Sequence, residues 1–170
     1  YHGSTNGALS ISSNKKRKEN FEPLLPNIEF IKLNNFNDLD LISNQIAGVF
    51  LETIQGDAGV QIPTYCFMKA LREKCSKTGT LLILDEIQCG LGRTGSNFAF
   101  EHFDIIPDIL TLGKALGGGL PIGALVTSQK VLKTFSNNPE LGHITTFGGH
   151  PLNAAAAVSY THLTLPTKRI

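Results

Sequence analysis

The sequence has no apolar stretch long enough to span a bilayer, which excludes a helical membrane anchor within it. It has almost no excess of one charge: 15 Lys+Arg against 14 Asp+Glu leave a formal net charge of +1. Nothing in that balance points to nucleic acid, and the one short basic run, Lys15-Lys16-Arg17-Lys18, reads as a solvated loop. Cysteine is scarce. Cys66, Cys75 and Cys89 show no metal-ligand spacing and leave an odd thiol, so no metal is expected and a reduced, cytoplasmic setting is. No secretory segment and no initiator Met open the sequence, so the natural start is expected upstream of Tyr1-His2-Gly3.

What is present is glycine and short apolar runs. The 17 glycines, many in the second half, suit tight turns and close backbone approach to a ligand. Leu81-Leu82-Ile83-Leu84 is apolar without alternation and ends abruptly in Asp85-Glu86, as a central parallel strand would. In open α/β sheets the carboxyl ends of strands face the ligand crevice, so Asp85 is delivered to a site. A second run, Ile109-Leu110-Thr111-Leu112, leads to Gly113-Lys114 and then three glycines, Gly117 to Gly119. An acid and a lysine at the ends of neighbouring strands are the pair that pyridoxal phosphate chemistry requires.

The remaining elements follow from periodicity and turn chemistry. Ile28 to Leu33 alternates as a strand, and Leu39 to Gln45 reads as a helix with Asp38 as its cap. Ile46 to Glu52 is another buried strand ending in an acid. Pro63 opens an amphipathic helix with Phe67, Ala70, Leu71 and Cys75 inward, closed by Gly79. Phe98 to Phe103 makes an aromatic-rich turn in which His102 is structural. Ile122 to Thr127 reads as a strand, Gln129 to Phe135 as a helix, and Leu152 to Val158 opens an Ala-rich helix. Ser159 to Ile170 breaks the pattern and reads as a non-native run-on tail.

The wording around the two strand ends resembles the class III (ornithine/acetylornithine-type) aminotransferases. Asp85-Glu86-Ile87-Gln88, Gly90-Leu91-Gly92-Arg93-Thr94-Gly95, Pro107-Asp108 and Gly113-Lys114 through Gly119 stand in that family's order. The resemblance covers most of residues 1–158 and implies part of the pyridoxal-phosphate-binding large domain of fold type I. That domain is α/β, a three-layer, mostly parallel sheet flanked by helices. By the resemblance Lys114 holds pyridoxal 5′-phosphate and shuttles a proton, while Asp85 keeps the ring nitrogen protonated. Gln88 donates to the ring's phenolic oxygen, Tyr1 stacks on the ring, and Thr145 or Thr146 reaches a phosphate across a homodimer interface. Glu52 and Asp57 line the substrate side, Asp57 at a position that gates an arginine.

The implied reaction moves the terminal amine of ornithine or an N-acylornithine to 2-oxoglutarate. Four departures stand out: Ser4 where the family commonly has Arg, Thr53 for Pro, Asp57 for Glu, and His150 for Asn. The phosphate loop and the carboxylate-binding arginine are expected outside these residues, so the fragment alone is expected to be inactive. Competing readings are glutamate-1-semialdehyde aminomutase or another omega-amino acid aminotransferase, a nucleotide-binding α/β domain, and an inactive module that keeps the fold. The glycines after Lys114 do not form a Gly-x-Gly-x-x-Gly turn directly after a strand, which disfavours the nucleotide-binding reading.

Overall fold

A computed structural model describes residues 1–137, 140, 142 and 144–164. Its centre is a four-stranded sheet in the order β1 (Gly48–Glu52), β2 (Leu81–Asp85), β3 (Ile109–Leu112) and β4 (Ala124–Thr127). The first three strands are parallel, and β4 runs antiparallel to β3. The sheet is therefore mixed, mostly parallel and flanked by helices, as expected. β2 is central and apolar, and its Leu82 and Leu84 are fully buried.

α1 (Asn6–Ile11) and α3 (Gln129–Leu132) are short, and the longer α2 (Tyr65–Thr78) connects β1 to β2. Thr64, after Pro63, caps it by accepting from the Phe67 N–H at 3.3 Å. Gly79 ends it in the left-handed conformation at φ 76°, where a side chain would be strained. Phe67, Met68, Leu71 and Cys75 form its buried stripe and share one core cluster with Leu82, Leu84, Leu110 and Leu112. The core thus lies beneath the strands whose far ends carry the acids.

Four expectations need correction. Ile28 to Leu33 joins no sheet: Ile31 and Leu33 pack on the core, but the segment forms no ladder with β1. Nor does burial follow the alternation: Phe30 is 48% exposed, while Ile28, Ile31 and Leu33 are partly buried. The helix expected from Leu39 is a 3₁₀ turn over Phe36–Leu41, capped by Asn35 rather than Asp38. Asp38 instead accepts from the Lys32 N–H and the Asn35 amide, at 2.7 and 2.6 Å.

The basic run is not simply solvated. Lys18 donates to the Ser10 carbonyl at 3.0 Å, and Arg17 pairs with Asp57. Finally, α4 (Pro151–Thr164) runs on past Val158, so helix continues into the segment read as a tail. Thr161 answers its own backbone by donating to the Ala157 carbonyl at 2.7 Å, and Tyr160 packs on the core near Gly118. Residues 165–170 lie outside the described residues.

Leu71 has no exposed surface. Leu71→Ala is expected to cost about 2–5 kcal/mol in urea unfolding, whereas truncating the half-exposed Tyr65 should cost far less.

Candidate active site

Three parallel strands deliver their last residues to one edge of the sheet. Glu52 and Asp85 are register partners at the ends of β1 and β2, and Thr111 of β3 is the register partner of Asp85. Lys114 follows Thr111 by three residues, immediately beyond β3. The acid and the amine singled out in the sequence therefore leave neighbouring strands on the same side.

Asp85 is 4% exposed and has both oxygens occupied. Oδ1 accepts from the Ile87 N–H at 3.0 Å, and Oδ2 lies 2.8 Å from His2 Nδ1. Because a carboxylate only accepts, His2 must carry its proton on Nδ1 when Asp85 is ionised. The His2 ring meets Phe50 edge-on at 4.6 Å, and its backbone N–H donates to Ser12 Oγ at 3.1 Å. The main chain of His2 is thus anchored and its ring packed on Phe50, with Nδ1 turned to the carboxylate. Sequence reasoning missed this role for His2, although the residue stood in a quoted motif.

Lys114 opens a 3₁₀ turn (Lys114–Gly117) with φ at 45°, a left-handed backbone that costs a lysine about 1–2 kcal/mol. Its side chain is exposed. No hydrogen bond or ion pair ties its amine among the described residues. The backbone sets only the direction in which the side chain leaves the turn.

Gln88 lies over Gly56, where an added Cβ would fall 2.1 Å from Gln88 Oε1. A side chain at Gly56 would displace the Gln88 amide, so this contact joins the turn after Asp85 to the loop after Glu52. Glu52 is buried, accepts from the Gly56 N–H at 3.4 Å and contacts the main-chain nitrogen of Tyr1. The Tyr1 ring lies beneath the Arg17 guanidinium, 4.8 Å from its centroid, and the Tyr1 hydroxyl is 3.3 Å from Ser4 Oγ. Asp57 pairs with Arg17 at 3.1 Å.

Thr145 and Thr146 are not brought to these groups. Both lie on an exposed turn before α4, where the Thr145 carbonyl accepts from the Gly148 N–H at 3.2 Å. His143 of the same motif lies outside the described residues.

A second buried acid escaped the sequence reading. Glu86 is 1% exposed and accepts four hydrogen bonds. Thr53 Oγ1 donates at 2.8 Å, the Ala99 and Phe100 N–H groups at 2.9 Å each, and Cys89 Sγ at 3.4 Å. The departure at Thr53 now has a physical consequence. Its hydroxyl feeds Glu86 and its N–H donates to the Asp85 carbonyl at 3.4 Å, two bonds a proline cannot make. Alternating hydrophobicity carries no trace of such a network, because its donors come from three separate segments.

The residues present suit a pyridine cofactor bearing a carbonyl. The Asp85 carboxylate is buried and rigid beside the Thr111 hydroxyl, a buried group with no hydrogen-bond partner, and the Lys114 amine is uncommitted. Among the described residues no group of His, Cys, Asp and Glu could hold a metal ion, and no helix is long and apolar enough to cross a membrane.

An acid and an amine at the carboxyl ends of adjacent parallel strands define an α/β cofactor-binding domain. The sequence model of class-III aminotransferases matches residues 1–165, and the chain belongs to that family. It is 48% identical over 160 residues to a [LysW]-aminoadipate semialdehyde/glutamate semialdehyde transaminase of Sulfolobus acidocaldarius. That match covers 94% of this chain and 40% of the relative.

An acetylornithine aminotransferase of Methanopyrus kandleri is 46% identical over 157 residues, covering 92% of this chain and 40% of its own. The chain thus spans about 40% of the length of the curated relatives it matches. Among solved structures, an ornithine aminotransferase of Toxoplasma gondii superposes with a TM-score of 0.88 at 38% identity. It covers 96% of this chain and 38% of that one. Pyridoxal phosphate is the family's cofactor, and the Toxoplasma gondii structure carries it, at partial occupancy, in its active site.

The thiols make a check on this geometry. Burial, reinforced by the Glu86 charge, pushes Cys89 from its ordinary 9.0 up to about 12, and burial pushes Cys75 up to about 11. Below pH 9.0 folded and unfolded chains both keep these protons; above it the unfolded chain ionises first, so stability falls as pH rises from there toward about 12. At pH 8, alkylation followed by mass spectrometry should modify exposed Cys66 alone, with Cys75 and Cys89 reacting only after denaturation.

Proposed function

We propose that this chain is part of the large domain of a transaminase that moves a terminal amine from ornithine or an N-acylornithine to 2-oxoglutarate. The observation that carries the reading is the pairing of a buried, doubly bonded Asp85 with an uncommitted Lys114 amine across the ends of β2 and β3. Relatives named for acetylornithine, ornithine and semialdehyde substrates support a donor whose reacting amine is remote from its other charged groups. In this reading residues 1–158 belong to the large domain, residues 159–170 are a non-native extension, and the native enzyme is a cytoplasmic homodimer.

Pyridoxal phosphate, when bound, supplies an electron sink for the charge that develops as the amine-bearing carbon loses a proton. The chain's own residues set the conditions. Asp85, aimed by His2 and the Ile87 N–H, would favour a protonated ring nitrogen by placing a negative charge beside it. Lys114 would hold the cofactor and serve as general base and acid for the proton of the reacting carbon. Tyr1 would stack on it, Gln88 would donate to its phenolic oxygen, and a Thr145 or Thr146 hydroxyl would serve the phosphate bound in the partner subunit. Glu52 and Asp57 line the substrate side.

In the full-length protein loaded with pyridoxal phosphate, borohydride reduction and peptide mapping should find the pyridoxyl group on Lys114. Lys114→Ala should remove both the label and the visible absorbance, and transfer to 2-oxoglutarate should be seen with ornithine, acetylornithine or succinylornithine. A label on another lysine overturns the assignment of Lys114, and no transfer from any of these donors overturns the substrate.

A further inference from the structure

Gln88 and Gly56 meet where two loops come together beside the site. Gln88 follows Ile87, the residue whose N–H holds Asp85, so its side chain leaves the same turn that aims the carboxylate. The amide carries two donors and an acceptor, yet no hydrogen bond among the described residues uses any of them. Its close neighbour is Gly56. A Cβ built on that glycine would lie 2.1 Å from Gln88 Oε1, 2.6 Å from Cδ and 3.0 Å from Nε2. The whole amide therefore stands in the space a side chain would occupy.

The glycine side of the contact is the anchored one. Gly56 opens a loop tip closed behind it by two hydrogen bonds of 3.0 Å, from the Gln55 N–H to the Gln61 carbonyl and from the Gln61 N–H to the Gln55 carbonyl. Its own N–H donates to Glu52 Oε2 and its carbonyl accepts from the Val60 N–H, both at 3.4 Å. A collision here resolves by moving the amide, the far end of a flexible side chain with nothing else to hold it. Given the transaminase reading above, in which Gln88 donates to the phenolic oxygen of pyridoxal phosphate, we propose that Gly56 is the positioning residue for that donor. Its missing side chain leaves the amide its place, so the loop after β1 decides whether a donor from the turn after β2 reaches the cofactor.

The test uses the full-length protein loaded with pyridoxal phosphate, without substrate, and reads the pH midpoint of its visible absorbance change. A donor beside the phenolic oxygen favours the charged form of that oxygen, so its loss makes the neighbouring proton harder to remove and raises the midpoint. Gln88→Ala should raise it by about one pH unit, the size of a charge-assisted hydrogen bond. Gly56→Ala should raise it too, and by no more. The double variant should match Gln88→Ala alone, because a displaced donor and a missing one are the same loss. Ala58→Ser, exposed on the same loop tip, should leave the midpoint where it is.

An unshifted midpoint in Gly56→Ala or in Gln88→Ala overturns the assignment. So does a Gly56→Ala shift that is equal with and without Gln88, or a shift of the same size in Ala58→Ser. Should Gly56→Ala not fold, the double variant decides: folding restored by Gln88→Ala is the expected result, and failure in both backgrounds overturns the assignment. If the parent protein takes up no pyridoxal phosphate, the transaminase reading itself falls. If it does and the two substitutions act independently, only the role of Gly56 falls.

Discussion

A negative charge buried at the end of a central strand is the constraint that the rest of this structure serves. Asp85 is almost wholly removed from water, and an isolated carboxylate there would be costly. It is kept by His2 Nδ1 on one oxygen and the Ile87 N–H on the other, while Phe50 packs against the imidazole and Ser12 anchors the His2 main chain. Phe50 belongs to β1 and Ile87 to the turn after β2, whereas His2 and Ser12 come from N-terminal segments outside regular structure. The neighbouring strand adds an amine whose side chain leaves its turn in a direction set by a left-handed backbone. The site thus separates a fixed anion from an uncommitted cation, which is what chemistry between them needs.

The adjacent acid does a different job with the same side-chain chemistry. Glu86 turns inward and ties the end of β1, through Thr53, to the start of the Ala99–Phe103 turn. Its neighbour Cys89 is forced to stay a neutral thiol by burial and by the Glu86 charge. Two consecutive acids therefore divide the labour: one faces the crevice, the other braces the loop that encloses it. The alternation of a strand end, which points successive side chains in opposite directions, makes that division automatic. Membership of the class-III aminotransferases agrees with this arrangement, and Thr53 shows how this chain supports it with a hydroxyl and an N–H.

Some of this was written plainly in the residue order. The Leu81 run, the Gly79 end of α2 and the place of Lys114 after β3 follow from local rules of apolar continuity and left-handed termination, while α2 begins at Tyr65, two residues after the Pro63 expected to open it. Where local rules competed with tertiary context, they failed in an understandable way. Ile28 to Leu33 joins no sheet and leaves Phe30 exposed, since a short apolar pattern specifies neither a hydrogen-bonding neighbour nor which of its side chains the core takes. Asp38 was a plausible cap, but Asn35 lay closer to the true start and Asp38 was drawn to the Lys32 N–H. The helix beyond Val158 persists because Tyr160 has packing against the core and Thr161 satisfies its own turn.

The sequence by itself determined the order of strands and helices, the delivery of Asp85 and Lys114 to one edge, and the family resemblance, because each depends on residues within a few positions of one another. Only the tertiary structure decided which side chains meet. His2 reaches Asp85 across 83 positions, Arg17 reaches Asp57 across 40, and Glu86 takes Thr53 across 33. Contacts of that range are fixed by strand register and by how loops cross the sheet edge, and no periodicity along the chain encodes them.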